Sequence, residues 1–445
     1  MPDRDLAWFI EELRRRGLLN DIRRPVDLVE ELGAVLNASE RSGRAALFHS
    51  VEGHSMPVLG GALSSHAHMA AALECEVGEL GDRIRSALAE PIPPQIVEGP
   101  VPCQEVVDKE ADLGSLPIPV HAPGDGGQFI NAGVVVAREP GGGRHNLSYI
   151  RMQVKGSDRT GFNINPWRHL GEFLDHAEER GENLPFCVAI GVDPAVMMAA
   201  AFRYPGDEYE IAGALRGEPI PVVKATTCDI LVPASAEIIL EGELLAGVRE
   251  TEGPMAEFTG HYSGVHDQPV AVIHAITHRK QPVFQTIAGA SLEHLVLGNA
   301  VVREPPLRSA VERITDRATA FHVPPYGSGF AALVSLERPR PGEARNVGLA
   351  ALHSHINVKT VIVVDSDVNI FDPVDVLWSL AIRVRWGTDI IVIRGSGGNN
   401  LDPSADSQGV VDKIIIDATL DPAQRQRYSK VRYPRINLAD YVSTE

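Results

Sequence analysis

The first hundred residues repeat apolar positions with the period of an amphipathic helix. In the first such segment the offsets are three and four residues, at Leu6, Phe9, Ile10 and Leu13. Gly17 follows a basic run and is a typical helix stop. The helical period returns at 28–36 and 68–91, with short strands between the helices, and a Pro-rich run then interrupts it. We therefore predict an N-terminal α/β domain over residues 1–100.

From about residue 100 the period of the apolar positions changes to two. Residues 132–154 read as a β-hairpin, because two β-rich runs flank a Pro-Gly-Gly-Gly turn. Residues 221–244 and 268–289 each read as a further strand pair, and one or two helices are inserted near 167–181. Many short strands with few helices favour a small barrel or curved sheet over a doubly wound layer. We assign residues 101–300 to this central domain.

The pattern of apolar and polar positions changes again after residue 300. A buried strand at 358–367, a helix at 372–384 capped by Asp372 and a strand at 388–395 form a strand–helix–strand sequence. This order predicts a βαβ unit with a parallel sheet, and so a C-terminal α/β domain over residues 301–445. The polar and aromatic tail, 425–445, is a candidate arm that docks on another subunit.

Composition narrows the class of protein. The 445 residues carry 59 acidic against 41 basic side chains, a net charge of -18, which argues against nucleic acid or an anionic membrane as the main partner. The four cysteines form no CxxC pair, so reduced thiols and a cytoplasmic location are expected. No apolar run long enough to span a membrane occurs, and no signal-peptide core precedes the first helix. Common nucleotide-binding and hydrolase motifs are absent as well.

Two glutamates flank a turn in the segment EGPMAEFTGHY, residues 252–262. An offset of five places Glu252 and Glu257 on different faces of either a helix or a flat strand, so they converge only if the chain bends at the intervening Gly-Pro pair. Arg151 lies among apolar residues in a predicted strand and would need an acidic partner if buried. Together the three residues would form a site that binds an anion and transfers a proton. The alternatives are a surface turn with two solvated acids and a solvent-facing arginine.

A second set of side chains has the character of hard-cation ligands. Asn146 opens the strand that leads to Arg151, His169 begins a predicted helix, and Glu208 follows a Pro-Gly turn. Amide oxygen, imidazole and carboxylate suit Mn²⁺ or Mg²⁺ better than Zn²⁺, and a phosphate would be a natural further ligand. Each residue also has an ordinary interpretation, as a turn asparagine, a helix-start histidine and a surface glutamate.

Six motifs in order resemble the UbiD family of decarboxylases. They are NLSYIRMQV, NPWRHLG, DEYEIAGALRGEPIPVVK, LVPASAEIILEGEL, EGPMAEFTGHYSG and VDSDVNIFDPVDVLWSLAIRVR. The resemblance implies an N-terminal α/β domain, a split-barrel flavin domain and a C-terminal α/β domain that dimerises. It also implies reversible, non-oxidative decarboxylation of an aromatic, heteroaromatic or α,β-unsaturated acid with prenylated FMN.

The resemblance further assigns roles to individual residues. The catalytic Glu-Arg-Glu network maps onto Glu252, Arg151 and Glu257. The ligands of a Mn²⁺ ion that bridges the cofactor phosphate map onto Asn146, His169 and Glu208, with a K⁺ site beside the same phosphate. Two neighbouring residues, Ser148 and Arg168, are expected cofactor contacts.

The expected partners are a small carboxylic acid as substrate, a UbiX-type flavin prenyltransferase as supplier of the cofactor, and a second copy of the chain in a homodimer or larger homo-oligomer. Two alternatives stay open at this point. The chain could be a component that works only with partner subunits, or a flavin-binding assembly protein without turnover. An intact acid–arginine–acid set argues against the second alternative, because a mere carrier does not need it.

Overall fold

A computed structural model describes residues 4–421, 423–425, 428, 430, 431, 433, 434, 436, 437 and 441. The chain forms two compact units, the first running to Pro305 and including Leu401–Pro403, the second holding the rest of the described chain from Pro306. The predicted three-way division near residues 100 and 300 stays a prediction. Much of the predicted docking arm, 425–445, lies outside the described residues.

The first helix follows the predicted apolar spacing, whereas the second begins only at Glu31, within the predicted segment 28–36. In the first helix the buried face is the predicted one, Asp5 caps the N-terminus by accepting from the Trp8 amide, and two arginines lie in the last turn. In chain order the helices are α1 (Leu6–Arg15), α2 (Glu31–Arg41), α3 (His66–Ala72), α4 (Leu80–Ala89), α5 (His169–Glu178), α6 (Pro194–Ala199), α7 (Glu208–Arg216), α8 (Leu292–Leu295), which continues as a π-helix over Val296–Val301, and α9 (Glu304–Glu312), which extends into the second unit. No helix in the described part of the chain is both long and apolar enough to cross a membrane.

Sixteen strands lie in the described part of the first unit. They are β1 (Leu19–Ile22), β2 (Ala45–Phe48), β3 (Val58–Gly60), β4 (Gln95–Ile96), β5 (Val106–Asp108), β6 (Phe129–Ile130), β7 (Val134–Arg138), β8 (His145–Tyr149), β9 (Met152–Val154), β10 (Arg159–Phe162), β11 (Leu184–Ile190), β12 (Pro221–Lys224), β13 (Leu231–Pro233), β14 (Ile238–Glu252), β15 (His266–His278) and β16 (Phe284–Thr286). They form a four-stranded sheet β1-β2-β3-β16, a three-stranded sheet β13-β12-β4 and a nine-stranded sheet.

The nine-stranded sheet is a half-barrel, in agreement with the predicted curved sheet. Its strands run β6-β9-β10-β15-β14-β11-β7-β8, with β5 paired to β15. The predicted hairpin at 132–154 is confirmed as β7 and β8, which pair antiparallel. The segment 268–289 was predicted wrongly as one strand pair, because β15 pairs with β14 whereas β16 joins β3 in the other sheet.

Both faces of the half-barrel are covered. Successive residues of β7 lie in two different apolar clusters, Val134 and Val136 in one and Val135 and Ala137 in the other. Because neighbouring side chains on a strand point to opposite faces, this sheet has a core on each side. A polar side chain that projects from this sheet therefore needs a partner or a site.

The second unit contains a five-stranded sheet. Its elements are β17 (Ala318–His322), β18 (Ala331–Leu336), α10 (Glu343–His353), β19 (Thr360–Asp365), α11 (Pro373–Arg383), β20 (Ile390–Gly397) and β21 (Val410–Ala418), with strand order β17-β18-β19-β21-β20. The predicted cap is confirmed, since Asp372 accepts from the Val374 amide at the start of α11.

The βαβ unit of the second unit is not the one predicted. Parallel β18 and β19 are joined through α10 and form a βαβ unit. By contrast β20, which follows α11, pairs antiparallel with β21, and β21 is parallel to β19. The strand at 388–395 was therefore assigned the wrong direction, because apolar periodicity identifies a strand without fixing which way it runs.

Candidate active site

Arg151 lies between β8 and β9 and contacts both glutamates of the Gly-Pro turn. Its Nε donates to Glu252 Oε1 at 2.8 Å and its Nη2 to Glu252 Oε2 at 2.7 Å, while Nη1 donates to Glu257 Oε1. The amide of Asn163 adds a hydrogen bond to Glu252 Oε2 at 3.1 Å. Two-point pairing of this kind fixes the plane of the guanidinium as well as its position. The structure thus brings together the three residues that the sequence singled out.

A bend after β14 makes this convergence possible. Glu252 is the last residue of β14, and Gly253 has a left-handed φ of 94° that favours glycine. A Cβ atom at Gly253 would lie 2.7 Å from the carbonyl oxygen of Gly264. The Gly253 amide donates to Gln153 Oε1 at 3.1 Å, which ties the bend to β9 beside Arg151. The chain then turns back so that Glu257 reaches the same guanidinium.

Burial separates the two acids in chemical character. The side chain of Glu252 is 1% exposed, whereas those of Arg151 and Glu257 are 9% and 12% exposed. Burial and the charge of Glu252 raise the pKa of Glu257, and the charge of Arg151 opposes that rise. Glu257 is therefore an acid that holds its proton to higher pH than an ordinary glutamate while remaining partly accessible.

The second predicted set also comes together, where the first residues of α5 and α7 meet β8. His169 Nδ1 lies 3.1 Å from Asn146 Oδ1 and 4.0 Å from Glu208 Oε1. The other carboxylate oxygen of Glu208 accepts from the Leu147 amide at 2.9 Å. Burial raises the pKa of Glu208 to about 8 and lowers that of His169. An amide oxygen, an imidazole and a desolvated carboxylate thus face a common point, as a divalent cation requires.

Positive side chains surround this set. Arg144, Arg168 and Arg203 lie close enough to His169 that their charges help to lower its pKa. Both Arg168 and Arg203 are exposed and form no side-chain hydrogen bond within the described residues. A cation site ringed by arginines suits a phosphate group, because the guanidinium fork matches phosphate oxygens. The residues present therefore fit a metal-bridged phosphate. Sequence reasoning did not identify Arg144 or Arg203, although both lie within a few residues of predicted ligands.

The two residues expected to contact the cofactor, Ser148 and Arg168, lie on different elements. Ser148 lies two residues after Asn146 on β8 and its hydroxyl accepts from the Asn146 amide at 3.2 Å, so the two side chains share a face. Arg168 is the N-cap residue of α5, directly before His169. Both residues border the candidate cation site. No described contact bears on the predicted K⁺ site.

Two further polar residues, both in contact with Phe258, were not found from the sequence. Phe258 stacks edge-on against the His294 ring with centroids 6.1 Å apart, and the Arg303 guanidinium lies 5.9 Å from the Phe258 ring centre. Burial and the charge of Arg151 lower the pKa of His294 to about 4, so this imidazole is neutral near pH 7. His294 lies in α8 and Arg303 in the turn before α9, and only their polarity could have identified them.

Three domain models of one family match the chain in succession. Residues 10–88, 95–291 and 297–418 match the N-terminal, Rift-related and C-terminal domains of 3-octaprenyl-4-hydroxybenzoate carboxy-lyase, UbiD. A solved UbiD-class enzyme, HmfF from Pelotomaculum thermopropionicum in complex with FMN, is 39% identical, with a TM-score of 0.94 over 98% of this chain and 100% of the other.

Curated relatives agree with this assignment. An anhydromevalonate phosphate decarboxylase of Methanothermobacter thermautotrophicus is 34% identical over 95% of this chain and 98% of the relative. A phenolic acid decarboxylase of Bacillus subtilis is 33% identical over 97% and 96%, respectively. With relatives above 30% identity along nearly its whole length, the chain belongs to the UbiD family of carboxy-lyases.

Proposed function

We propose that this chain is a prenylated-FMN-dependent decarboxylase of an aromatic, heteroaromatic or α,β-unsaturated carboxylic acid, able to run in both directions. The related HmfF has been solved with FMN and, in an evolved dimeric form, with prFMN. The single observation that carries the proposal is the ion-pair set of Arg151 with Glu252 and Glu257, which is mostly buried. Such a set is costly unless it serves a site.

When bound, prenylated FMN would supply the electron sink that an unassisted carboxylate lacks. Asn146, His169 and Glu208 would hold it through a Mn²⁺ ion on its phosphate. Ser148 and Arg168 would contact the same phosphate, with K⁺ beside it. This assignment is supported by the converging ligand atoms and by the arginines around His169.

Arg151 would bind and orient the substrate carboxylate. A guanidinium has five N–H groups, and the contacts with the two glutamates use three of them. One N–H on each terminal nitrogen therefore has no hydrogen-bond partner within the described structure. These two N–H groups suit the two oxygens of a carboxylate. Glu252, which accepts two hydrogen bonds from Arg151 and one from Asn163, would fix the arginine while substrate enters and CO₂ leaves.

Glu257 would deliver the proton that replaces CO₂. Its raised pKa keeps a proton available, and loss of the Arg151 contact on protonation would free the carboxyl group to turn toward the substrate. In the carboxylation direction the same oxygen would take up the proton. Exclusion of water around the buried acids would keep this proton on the pathway.

The proposal is tested with protein produced together with a UbiX-type flavin prenyltransferase. The purified protein should carry a flavin-like chromophore and release CO₂ from at least one acid in a panel of aryl, heteroaryl and enoic acids. A chromophore without turnover on any acid would favour a flavin-binding assembly protein. Turnover that appears only with a co-purifying chain would favour a component of a larger enzyme.

We also propose that the chain forms a homodimer through its second unit. Helix α11 exposes Val374, Leu377 and Ile382, which are 74%, 66% and 64% accessible. At 100° per residue these side chains fall within about 140° of arc, so they form one broad apolar side. An exposed apolar helix face of this kind is typical of a protein interface.

A further inference from the structure

Two of the four cysteines form a thiol pair that has no role in the chemistry assigned above. Cys187 lies on β11 and is fully buried, whereas Cys228 lies half-buried in the turn between β12 and β13. Their Sγ atoms are 3.6 Å apart, within hydrogen-bonding range for sulfur. A thiol near the surface with a second thiol directly beneath it is the arrangement of a reactive cysteine and its resolving partner.

The surrounding turn holds Cys228 over Cys187. Glu241, fully buried on β14, accepts four hydrogen bonds from the amides and hydroxyls of Thr226 and Thr227, at 2.6 to 3.0 Å. On the other side of the turn the Ala225 amide donates to the Ile230 carbonyl at 2.9 Å. Cys228 itself lies between these anchors, where three neighbours, Thr226, Thr227 and Asp229, are exposed. The anchors fix the register of the turn, and the exposed neighbours leave its outer side open to solvent.

The two thiols differ in pKa, and the more exposed thiol has the lower pKa, as a reactive cysteine requires. A hydrogen bond from the Cys187 thiol lowers the pKa of Cys228, with help from the Ile230 amide and against burial and the charge of Glu241. Burial raises the pKa of Cys187 well above its ordinary range. Cys228 is thus the better thiolate, and Cys187 keeps a proton to donate.

We propose that Cys228 is a hydroperoxide-oxidised cysteine that Cys187 resolves to a reversible disulfide. The Cys228 thiolate attacks a peroxide oxygen, the O–O bond breaks, and an alcohol or water leaves after taking up one proton, giving a sulfenic acid. The Cys187 sulfur then attacks the Cys228 sulfur, the S–O bond breaks, and the Cys187 proton leaves with the hydroxyl group as water. Two thiols are oxidised and one hydroperoxide is reduced. The sulfur atoms must approach from 3.6 Å to about 2.05 Å, which requires a shift of the turn that carries Cys228.

The remaining cysteines are natural controls. Cys103 is fully buried and its charge influences Cys187, so it is the competing partner. Burial raises the pKa of Cys75 as well. A disulfide that joins Cys187 to Cys103, or any disulfide to Cys75, would contradict the pairing.

The experiment exposes the purified full chain to hydrogen peroxide, blocks remaining thiols with N-ethylmaleimide in denaturant, and counts labels by intact mass. We expect about two of the four cysteines to lose their label, recovery of all labels after dithiothreitol, and a 187–228 cross-linked peptide on digestion. This measurement needs no variant. Retention of every label, or loss at another pair, would overturn the proposal.

Variants assign the order of attack. Cys228→Ser should keep all its thiols under peroxide, and Cys187→Ser should accumulate a sulfenic acid at position 228 that dimedone traps. Cys75→Ser should form the disulfide as the wild-type chain does. Dimedone labelling of Cys187 in the Cys228→Ser chain would show that the assigned order is wrong.

Discussion

Glu252 holds Arg151 through both of its carboxylate oxygens, at 2.8 and 2.7 Å, whereas Glu257 reaches the same guanidinium through one oxygen only. The two acids are therefore not equivalent, although the sequence presents them as a pair around one turn. The more deeply buried glutamate is the anchor. The more accessible one has an oxygen left for proton transfer, and this asymmetry determines the expected behaviour of each variant.

Glu257→Gln is expected to abolish proton delivery while leaving the cofactor bound. The amide cannot exchange a proton near neutral pH, so turnover and exchange of the product's proton with solvent should each fall by at least about 100-fold. Flavin absorbance per chain should equal that of the wild type, because no described contact joins Glu257 to the candidate phosphate ligands. The measurement is CO₂ release together with deuterium incorporation into product. A variant that retains exchange would exclude Glu257 as the proton donor.

Arg151→Lys tests whether geometry or charge matters at the centre of the ion-pair set. A lysine keeps the positive charge but cannot form the two-point contact with Glu252. We expect a loss of at least about 100-fold in kcat/KM and a higher KM for the acid, with flavin content unchanged. Steady-state kinetics at fixed pH check this. Near wild-type kinetics would mean that charge alone suffices.

Glu208→Ala should weaken retention of metal and cofactor rather than the chemical step. The substitution removes a buried carboxylate from the set with Asn146 and His169, and a lost ligand typically costs about ten-fold or more in metal affinity. Glu210→Ala, two residues along α7, is the matched control, because among the described residues the Glu210 side chain forms a hydrogen bond only with the Tyr204 hydroxyl. Metal and flavin per chain after dialysis are measured. Equal losses in both variants would contradict the assignment.

Some of this site could be predicted from the sequence because burial of charge is costly. Arg151 within an apolar strand required acids, and Glu252 with Glu257 around a Gly-Pro turn could supply them. The direction of a strand and the tertiary neighbours of a side chain could not be predicted in the same way. The antiparallel course of β20 depends on which strand it joins, and the closeness of His294 and Arg303 to Phe258 depends on tertiary packing. Apolar periodicity contains neither kind of information.

Leu377→Glu tests the proposed homodimer. A charge placed in the apolar face of α11 would be buried in the interface without a partner, so we expect a shift from dimer to monomer at micromolar concentration. Val265→Glu, at a residue 50% accessible in the first unit, should leave the assembly unchanged. Sedimentation velocity measures both. A dimer that persists in Leu377→Glu would place the interface elsewhere.

Glu40→Gln is expected to stabilise the fold, relative to the wild type, more at pH 8 than at pH 5. Glu40 is 1% exposed; one of its oxygens accepts from the Leu292 amide at 2.7 Å, and the other has no hydrogen-bond partner within the described structure. Burial raises its pKa to about 7, and its charge in turn helps to raise the pKa of Glu293 to about 8.

The sign follows from proton uptake. Between the ordinary pKa of 4.5 and about 7, the folded chain holds a proton at Glu40 that the unfolded chain releases, so folded stability falls as pH rises through this window. The glutamine lacks this loss, so the difference in free energy of unfolding between variant and wild type should grow by about 2 to 3 kcal/mol from pH 5 to pH 8. Urea unfolding followed by tryptophan fluorescence at the two pH values measures it, with Glu52→Gln, at an exposed position, as the control. An equal difference at both pH values would mean that Glu40 is ionised in the folded chain throughout.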